Sequence, residues 1–238
     1  MHIEQSDFHD QLMRGLAHKM NNILSLFHGY LGLLLEDKKL DRETLEGLAR
    51  IREGASAASE LMDRTKAFAK PSSTVWREID LNDFLRQMTP AFESYAERDV
   101  KIEITCAEDL PKLWADAARL RTAITELVRN ACEASPANGS VKIDAHVDER
   151  PRKESAKTTQ PITWISLTIT DEGQGIAPEL SKKIFQPFYS TKQKRNAMGL
   201  GLSVALGLVK QLGGVIRHKN KKKGTTFQML LPSRSERF

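Results

Sequence analysis

"ELVRNACEAS", residues 126–135, ends a helical stretch and sets Glu126 and Asn130 four residues apart, so a carboxylate and an amide share one helical face. Such a face can hold a hydrated Mg2+, because that hard ion takes oxygen ligands and keeps much of its water. Taken alone, the pattern reads first as an exposed helix with polar residues. What decides its meaning is the company it keeps further along the chain.

Downstream, "DEGQGI", residues 171–176, follows directly on the hydrophobic strand "ITWISLTIT". Asp171 ends that strand with a carboxylate able to accept a hydrogen bond from an exocyclic amine, while Gly173 and Gly175 let a ligand ring come close to the backbone. A common Gly-rich turn has the same composition. A third stretch, "MGLGLSVALGLV", places Gly199 and Gly201 at the opening of a helix whose first N–H groups would face an anion. It is not the dinucleotide fingerprint, since the third glycine of that motif and its βαβ context are both missing.

In this order, and with "IFQPFYSTK" between the second and third, the motifs resemble the ATP-binding domain of the histidine kinases, part of the GHKL group that includes DNA gyrase. The resemblance continues through "GGVIRHKNKKKGTTFQMLLP" and covers nearly everything from about residue 78 onward. It implies ATP and Mg2+ as ligands. By the same resemblance Asn130 is the Mg2+-binding asparagine of the N box, and Glu126 stands at the position of a catalytic or metal-water-orienting carboxylate. Asp171 corresponds to the adenine-reading residue, with Gly173 and Gly175 in the G1 box. "FQPFYSTK" corresponds to the F box, and residues 188–198 to a short lid in which Lys192 contacts phosphate or is merely solvated. Gly199 and Gly201 correspond to the G2 box, and Thr225 to a threonine near the adenine site.

The first 70 or so residues have a different pattern. Met13, Leu16, Met20, Ile23, Phe27, Tyr30 and Leu34 recur at alternating spacings of three and four, the seam of a coiled coil or bundle, with Leu12, Leu24, Leu31 and Leu35 widening the stripe. After "EDKKLD" a second run places Leu48, Ile51, Ala55, Ala58, Met62, Thr65 and Ala69 at similar spacing until Pro71 stops it. Two helices with such broad apolar faces cannot cover each other completely, so a homodimeric four-helix bundle is expected.

Beyond "KPSSTVW" the chain becomes α+β. "VKIEIT", "SVKIDAHV", "ITWISLTIT" and "GTTFQMLL" read as strands, and "LNDFLRQMTPAFESYAE", "DAARLRTAITELVRNACEAS" and "MGLGLSVALGLVKQLG" as helices. The polar segment from Glu149 to Gln160 reads as an exposed loop. The expected fold is therefore α+β: an N-terminal antiparallel helical hairpin over residues 1–71, then a GHKL-type α/β-sandwich ATP-binding domain over residues 77–238.

Ahead of an ATP-binding domain of this kind, the hairpin resembles the dimerisation and histidine-phosphotransfer domain of the same family. On the phase set by Met13, Leu16 and Met20, His18 points away from the seam towards solvent, where a phosphorylatable imidazole must lie. His28 lacks a following asparagine like Asn22; His9 is the better rival, since Asp10 follows it directly, but it sits too near the chain start to leave the helical turns that normally precede the phosphoacceptor. The family carries Glu or Asp after its phosphoacceptor, a carboxylate that accepts the other ring nitrogen's proton; this chain has Lys19. Asn22, four residues after His18 and on the same face, matches the position that orients a water for dephosphorylating a bound response regulator. Asn21 lies off that face and reads as a bystander.

Composition narrows the partners. The formal net charge is +5, concentrated in "ERPRKESAK" (149–157) and "RHKNKKK" (217–223). Nothing aromatic is interleaved with these residues and no nucleic-acid-reading motif accompanies them, so they read as solvated hairpin loops, not a nucleic-acid site. No run of about 18 apolar residues is present, and the start of the chain lacks the pattern of a signal peptide, so no membrane contact and a cytoplasmic location are expected. Cys106 and Cys132, with neither metal-like nor disulfide-like spacing, read as buried thiols.

The expected function is that of a soluble histidine kinase of a two-component system: autophosphorylation at His18 from ATP, then transfer to an aspartate of a response-regulator receiver domain, with input from the cytoplasm or a sensor protein in trans. Lys19 motivates the alternative of a kinase-weak phosphotransfer or phosphatase scaffold that binds nucleotide and acts on a response regulator. A GHKL serine kinase or ATPase acting on a separate partner fits less well, because such a protein needs no phosphotransfer bundle.

Overall fold

The computed structural model describes residues 2–37, 39–66, 75–96, 99–148, 163–191 and 199–233; for 2–14, 60 and 63–66 it describes the backbone alone. Pro71, the expected loop from Glu149 to Gln160, and Lys192 lie outside the described residues. The chain divides into two compact units, one holding the first two helices and the other holding the later strands and helices.

The first unit is a helical hairpin of α1 (His2–Leu35) and α2 (Arg42–Lys66), which pack on each other. The connection is short, and that length makes the two helices antiparallel neighbours. Asp41 starts α2: its carboxylate accepts the Thr44 backbone N–H at 2.8 Å and the Thr44 hydroxyl at 3.0 Å. The backbone N–H holds the Asp41 carboxyl below the usual carboxylate range, and the hydroxyl adds to it.

The phase of this packing differs from the expected seam. Ala17, Leu24 and Leu31 are buried on α1 and Ala55 on α2, whereas Leu16, Ile23, Phe27, Tyr30 and Leu34 are each 47% or more exposed. Ile51, expected on the α2 seam, is exposed as well. Leu24 and Leu31, expected only to widen the stripe, are thus buried within the hairpin together with Ala17. Small Ala17 and Ala55 mark the contact because they let two helix backbones approach. The bulkier row one position away is left uncovered by the chain's own hairpin.

In the second unit a five-stranded sheet has the order β2 (Lys101–Cys106), β4 (Ser140–Asp148), β5 (Trp164–Thr170), β7 (Thr225–Pro232), β6 (Val215–Asn220). β2 and β4 are parallel and the other neighbours antiparallel. A parallel pair needs a long crossover, and the connection from β2 to β4 contains α4 (Ala117–Ala134). A separate two-stranded ribbon joins β1 (Trp76–Ile79) to β3 (Leu113–Asp116).

Register lines the apolar residues into rows: Ile143, Ile169 and Phe227 across β4, β5 and β7, and Ala145, Leu167, Met229 and Ile216 across four strands. These residues are buried. So are Leu120, Ile124, Leu127 and Val128 of α4, Phe84, Leu85 and Phe92 of α3 (Leu81–Tyr95), and Val204, Leu208 and Val209 of α5 (Gly201–Gln211). Between the apolar rows the strands turn polar side chains to the other face, where Gln228 donates to Ser166 Oγ at 2.7 Å and the Thr170 and Thr226 hydroxyls lie 3.0 Å apart. The result is the α+β sandwich expected from the sequence.

The three expected helices and four expected strands are all present, and β1, β3 and β6 are additional. "RHKNKKK" is not all loop: Arg217–Asn220 complete β6, and Lys221–Lys223 with Gly224 form the turn into β7. Charged residues suit an edge strand, because they discourage pairing with another chain. Cys132 is buried as expected, its thiol pushed up to about 11, first by burial and then by Glu133. Cys106 departs from expectation in being only half-buried, since β2 forms the other edge of the sheet.

Candidate functional site

α4 organises the site. It begins at Asp116, whose Oδ1 accepts the Ala118 and Arg119 N–H groups at 3.0 and 3.1 Å, while Oδ2 accepts Val75 N–H at 3.1 Å. One aspartate therefore caps α4 and ties in the segment that starts β1. The helix then carries Glu126, buried, and one turn later Asn130, half-buried. It ends at Ala134, two turns or about 12 Å beyond Glu126 at the helical rise.

Each end of this stretch meets one glycine motif. At the Ala134 end, a side chain added at Gly173 would begin 2.6 Å from the Ala134 carbonyl oxygen and 2.9 Å from Asp171 Oδ1. At the Glu126 end, one added at Gly201 would begin 2.7 Å from Glu126 Oε2. At Gly173 the obstacle is main chain, so close approach requires the glycine; at Gly201 it is the tip of the Glu126 side chain. Glu126 forms an ion pair with Arg129, one turn on along α4. Burying a carboxylate is costly unless it is paired, and Arg129 supplies the opposite charge.

Asp171 is 3% exposed and its orientation is fixed from two sides. Oδ1 accepts the Gly173 N–H at 2.8 Å and the Thr225 N–H at 3.1 Å, and the Asp171 N–H donates to the Thr225 carbonyl at 2.9 Å. Thr225 is itself 3% exposed. Gly224, just before it, has φ +82°, and Gly175 has φ +81°, conformations that favour glycine. Glu172 accepts the backbone N–H and hydroxyl of Ser140, each at 3.1 Å.

Gly199 has φ +64° and packs on the backbone of Phe188 and Tyr189, where a side chain would begin 2.6 Å from the Phe188 carbonyl carbon. α5 opens at Gly201 with Leu200 as its N-cap and no side-chain capping bond, so first-turn N–H groups are presented at the end that meets Glu126. Phe185, in the F box, meets His218 of β6 and Phe227 of β7, with ring centroids 6.0 and 6.4 Å away. His218 Nε2 lies 3.3 Å from Ser181 Oγ, and burial lowers its pKa from the ordinary imidazole value.

The second unit thus gathers Glu126, Asn130, Asp171, Gly173, Gly201 and Thr225 around one helix and the ends of two strands, with Gly175 beside the Gly224 carbonyl and Gly199 against the F box. His18 and Asn22 are in the first unit, both exposed on α1. Lys19 is exposed beside His18, and Asn21 is half-buried, on the α2-facing side. Lys192 is outside the described residues. Sequence reasoning missed Arg129, Gly224 and Asn220. Arg129 was detectable from its spacing of three from Glu126, and Gly224 from its place before Thr225 in a turn. Asn220, which bonds both backbone polar groups of Ile176, gives no local signal.

The donor set suits a magnesium nucleotide. Among the described residues no three His, Cys, Asp or Glu side chains gather into a metal cage. Mg2+ does not need one: it is held by one or two protein oxygens together with phosphate and water. The Asn130 amide oxygen, half-buried on α4, is a donor of that kind. Among the described residues, no helix is long and apolar enough to cross a membrane.

The family model for histidine kinase-, DNA gyrase B-, and HSP90-like ATPases matches residues 115–235. Sensor kinase CckA of Brucella abortus is 29% identical over 227 residues, covering 93% of this chain and 24% of that protein. Sporulation kinase C of Bacillus subtilis is 29% identical over 231 residues, covering 95% of this chain and 49% of that protein. The chain thus spans about half or less of the length of these curated relatives. A structure of full-length ShkA in complex with AMPPNP matches 93% of this chain and 45% of its own with a TM-score of 0.71. Identity there is 23%, so the likeness is one of fold.

Proposed function

The chain belongs to the histidine kinase-, DNA gyrase B-, and HSP90-like ATPase family, on its two-component histidine kinase branch, and from that premise we propose that it is an ATP-dependent protein-histidine kinase. In this reading His18 accepts the γ-phosphoryl group, and an aspartate of a response-regulator receiver domain takes it on. The observation that carries the reading is the arrangement around α4, with a buried, oriented carboxylate at Asp171 and a glycine-opened helix N-terminus at Gly201.

Each residue has a physical task. Asp171, oriented by two backbone N–H groups, accepts a hydrogen bond from the adenine amine, and Gly173 lets the base lie against the loop. The first turn of α5, opened by Gly199 and Gly201, faces the phosphates. Asn130 holds Mg2+, and Mg2+ when bound neutralises charge on those phosphates. Glu126, ion-paired with Arg129, orients the attacking group or a metal water. Lys192 contacts phosphate from the lid. A neutral His18 ring nitrogen attacks the γ-phosphorus in line, the N–P bond forming as the bond from phosphorus to the β,γ-bridging oxygen breaks and ADP leaves, and exposure on α1 leaves the ring accessible. We place this chemistry in the cytoplasm, in a homodimer built on the hairpin.

Lys19 favours a second reading. A charged lysine cannot take the proton from the other ring nitrogen, and loss of an assisting base costs about 10²–10⁴ in rate. The chain would then act chiefly on a phosphorylated regulator, with Asn22, exposed one turn after His18, orienting the hydrolytic water. Incubation with Mg2+ and γ-labelled ATP separates the two. Acid-labile labelling that is lost in His18→Gln, kept in His9→Gln and raised in Lys19→Glu is the kinase result. Nucleotide binding with no labelling of either the natural or the Lys19→Glu protein refutes autokinase activity, and regulator dephosphorylation lost in Asn22→Ala then identifies the scaffold.

A further inference from the structure

The loop from Asp171 to Ile176 leaves β5 carrying the carboxylate and the two glycines assigned above to the adenine side of the site. It has no regular structure of its own, and Gly175 at φ +81° adds backbone freedom. Both of its ends are held by the β6–β7 hairpin. At the start, Asp171 and Thr225 exchange the backbone and carboxylate bonds already described. At the far end, Asn220 Oδ1 accepts the Ile176 N–H at 3.0 Å, and Asn220 Nδ2 donates to the Ile176 carbonyl oxygen. Asn220 and Thr225 are cross-strand partners at the last rung of that hairpin.

One side-chain amide therefore satisfies both backbone polar groups of one loop residue, as a neighbouring strand would. The amide orientation is determined by this geometry: the flipped form would set donor against donor and acceptor against acceptor. A Cβ at Gly175 would begin 3.5 Å from Asn220 Oδ1, so the clamp closes directly against the glycine turn.

We propose that Asn220 is a positioning residue for nucleotide binding: its amide clamps Ile176 and, with Thr225 at the other end, holds the Asp171 loop in its binding conformation before the nucleotide arrives. The proposal rests on the ATP-binding reading. Asn220 touches no substrate in this scheme; it acts through Ile176. Without it the loop is held at one end only, and the ordering needed for binding is charged against affinity.

The test is titration of a trinitrophenyl-ATP probe, with unlabelled ADP in competition, alongside thermal melting. Loss of two hydrogen bonds in Asn220→Ala is expected to weaken binding by about ten- to a hundredfold. The sharper variant is Asn220→Asp. Its carboxylate still accepts the Ile176 N–H, but its second oxygen opposes the Ile176 carbonyl when ionised and donates to it when protonated. Its affinity relative to the natural protein should therefore recover as pH falls from 7.5 towards 5, about the range in which a raised carboxyl pKa is met. The hairpin also carries His218, Lys219, Lys221, Lys222 and Lys223, and the loop carries Asp171 and Glu172. Both proteins share all of these, so the ratio of affinities isolates position 220.

A purely structural role would not give that pH-dependent recovery. A natural protein that does not bind the probe overturns the ATP-binding reading and this inference with it. Tight binding by the natural protein, equalled by Asn220→Ala, overturns the clamp alone. If Asn220→Ala fails to fold, the Asn220→Asp ratio still decides: a ratio constant with pH excludes the clamp.

Discussion

At Gly224 the backbone has φ +82°, and a side chain would begin 1.8 Å from the Asp171 carbonyl oxygen. The nearest obstacle there is not a flexible side chain but the main chain of Asp171 itself. Gly224→Ala must adopt a backbone conformation that L residues rarely take, and must also push Asp171 away from Thr225. The conformational part alone costs about 1–3 kcal/mol. We expect a lowered melting temperature and a loss of nucleotide affinity larger than the fall in stability explains, read by thermal melting and probe titration of the same preparation. A variant that melts lower but binds as before would show that the Asp171 orientation does not depend on this contact. Residues of this kind differ in how far the sequence reveals them. Asp171, Gly173 and Gly175 stand in a recognisable motif, so residue type and spacing sufficed to single them out, while Thr225 was reached through the family resemblance. Asn220 is 44 positions from Ile176, and a bond made across that separation has no periodicity to detect.

Elements were legible where burial imposes a pattern. α4 and α5 bury continuous apolar faces, β4 alternates along its length, and β7 alternates at its start before a fully buried run, because all are covered by another layer. β1 and β3 are four residues each, too short for alternation to register, and β6 buries only Ile216. β6 nevertheless supplies His218 to the aromatic contact with Phe185 and Phe227, which joins the F-box segment to the sheet edge. Burial lowers the His218 pKa, so the folded protein favours the neutral ring. The unfolded chain, with an imidazole pKa near 6.5, binds the proton more readily. The sign follows: the neutral ring's contribution is fully present above about pH 6.5 and is lost as pH falls through the lowered folded value. Unfolding by urea at pH 7.5 and pH 5 should therefore show a smaller acid loss of stability in His218→Phe than in the natural protein. Equal losses in the two proteins would remove His218 from the acid limb and leave its ring contacts as packing alone.

At the scale of the whole molecule, the uncovered side of the hairpin sets the strongest constraint. Composition and spacing made a helical hairpin legible, but the fuller three-and-four row stands out in the pattern, whereas Ala17, Leu24 and Leu31 recur only every seven residues, with polar Asn21 and His28 between them. The structure assigns Ala17, Leu24 and Leu31 to that contact and leaves Leu16, Ile23, Phe27, Tyr30 and Leu34 exposed. A contiguous row of that kind is the sort of patch that soluble chains cover by association. A second copy of the hairpin is the natural cover, since a two-fold axis lets one row bury itself against its own image. In such an interface every substitution occurs twice. Burying one side chain of the size of Phe27 is worth about 1.5–3 kcal/mol, so a charge at Phe27 and another at Tyr30 in each copy should abolish association at micromolar concentration. We expect light scattering to give the mass of two chains for the natural protein and of one for the Phe27→Glu, Tyr30→Lys protein. Circular dichroism should show the helices retained in both, because neither residue is among those buried within the hairpin. A natural protein with the mass of one chain sinks the dimer outright. A double variant that still dimerises moves the interface off this row and reopens which surface the second copy covers.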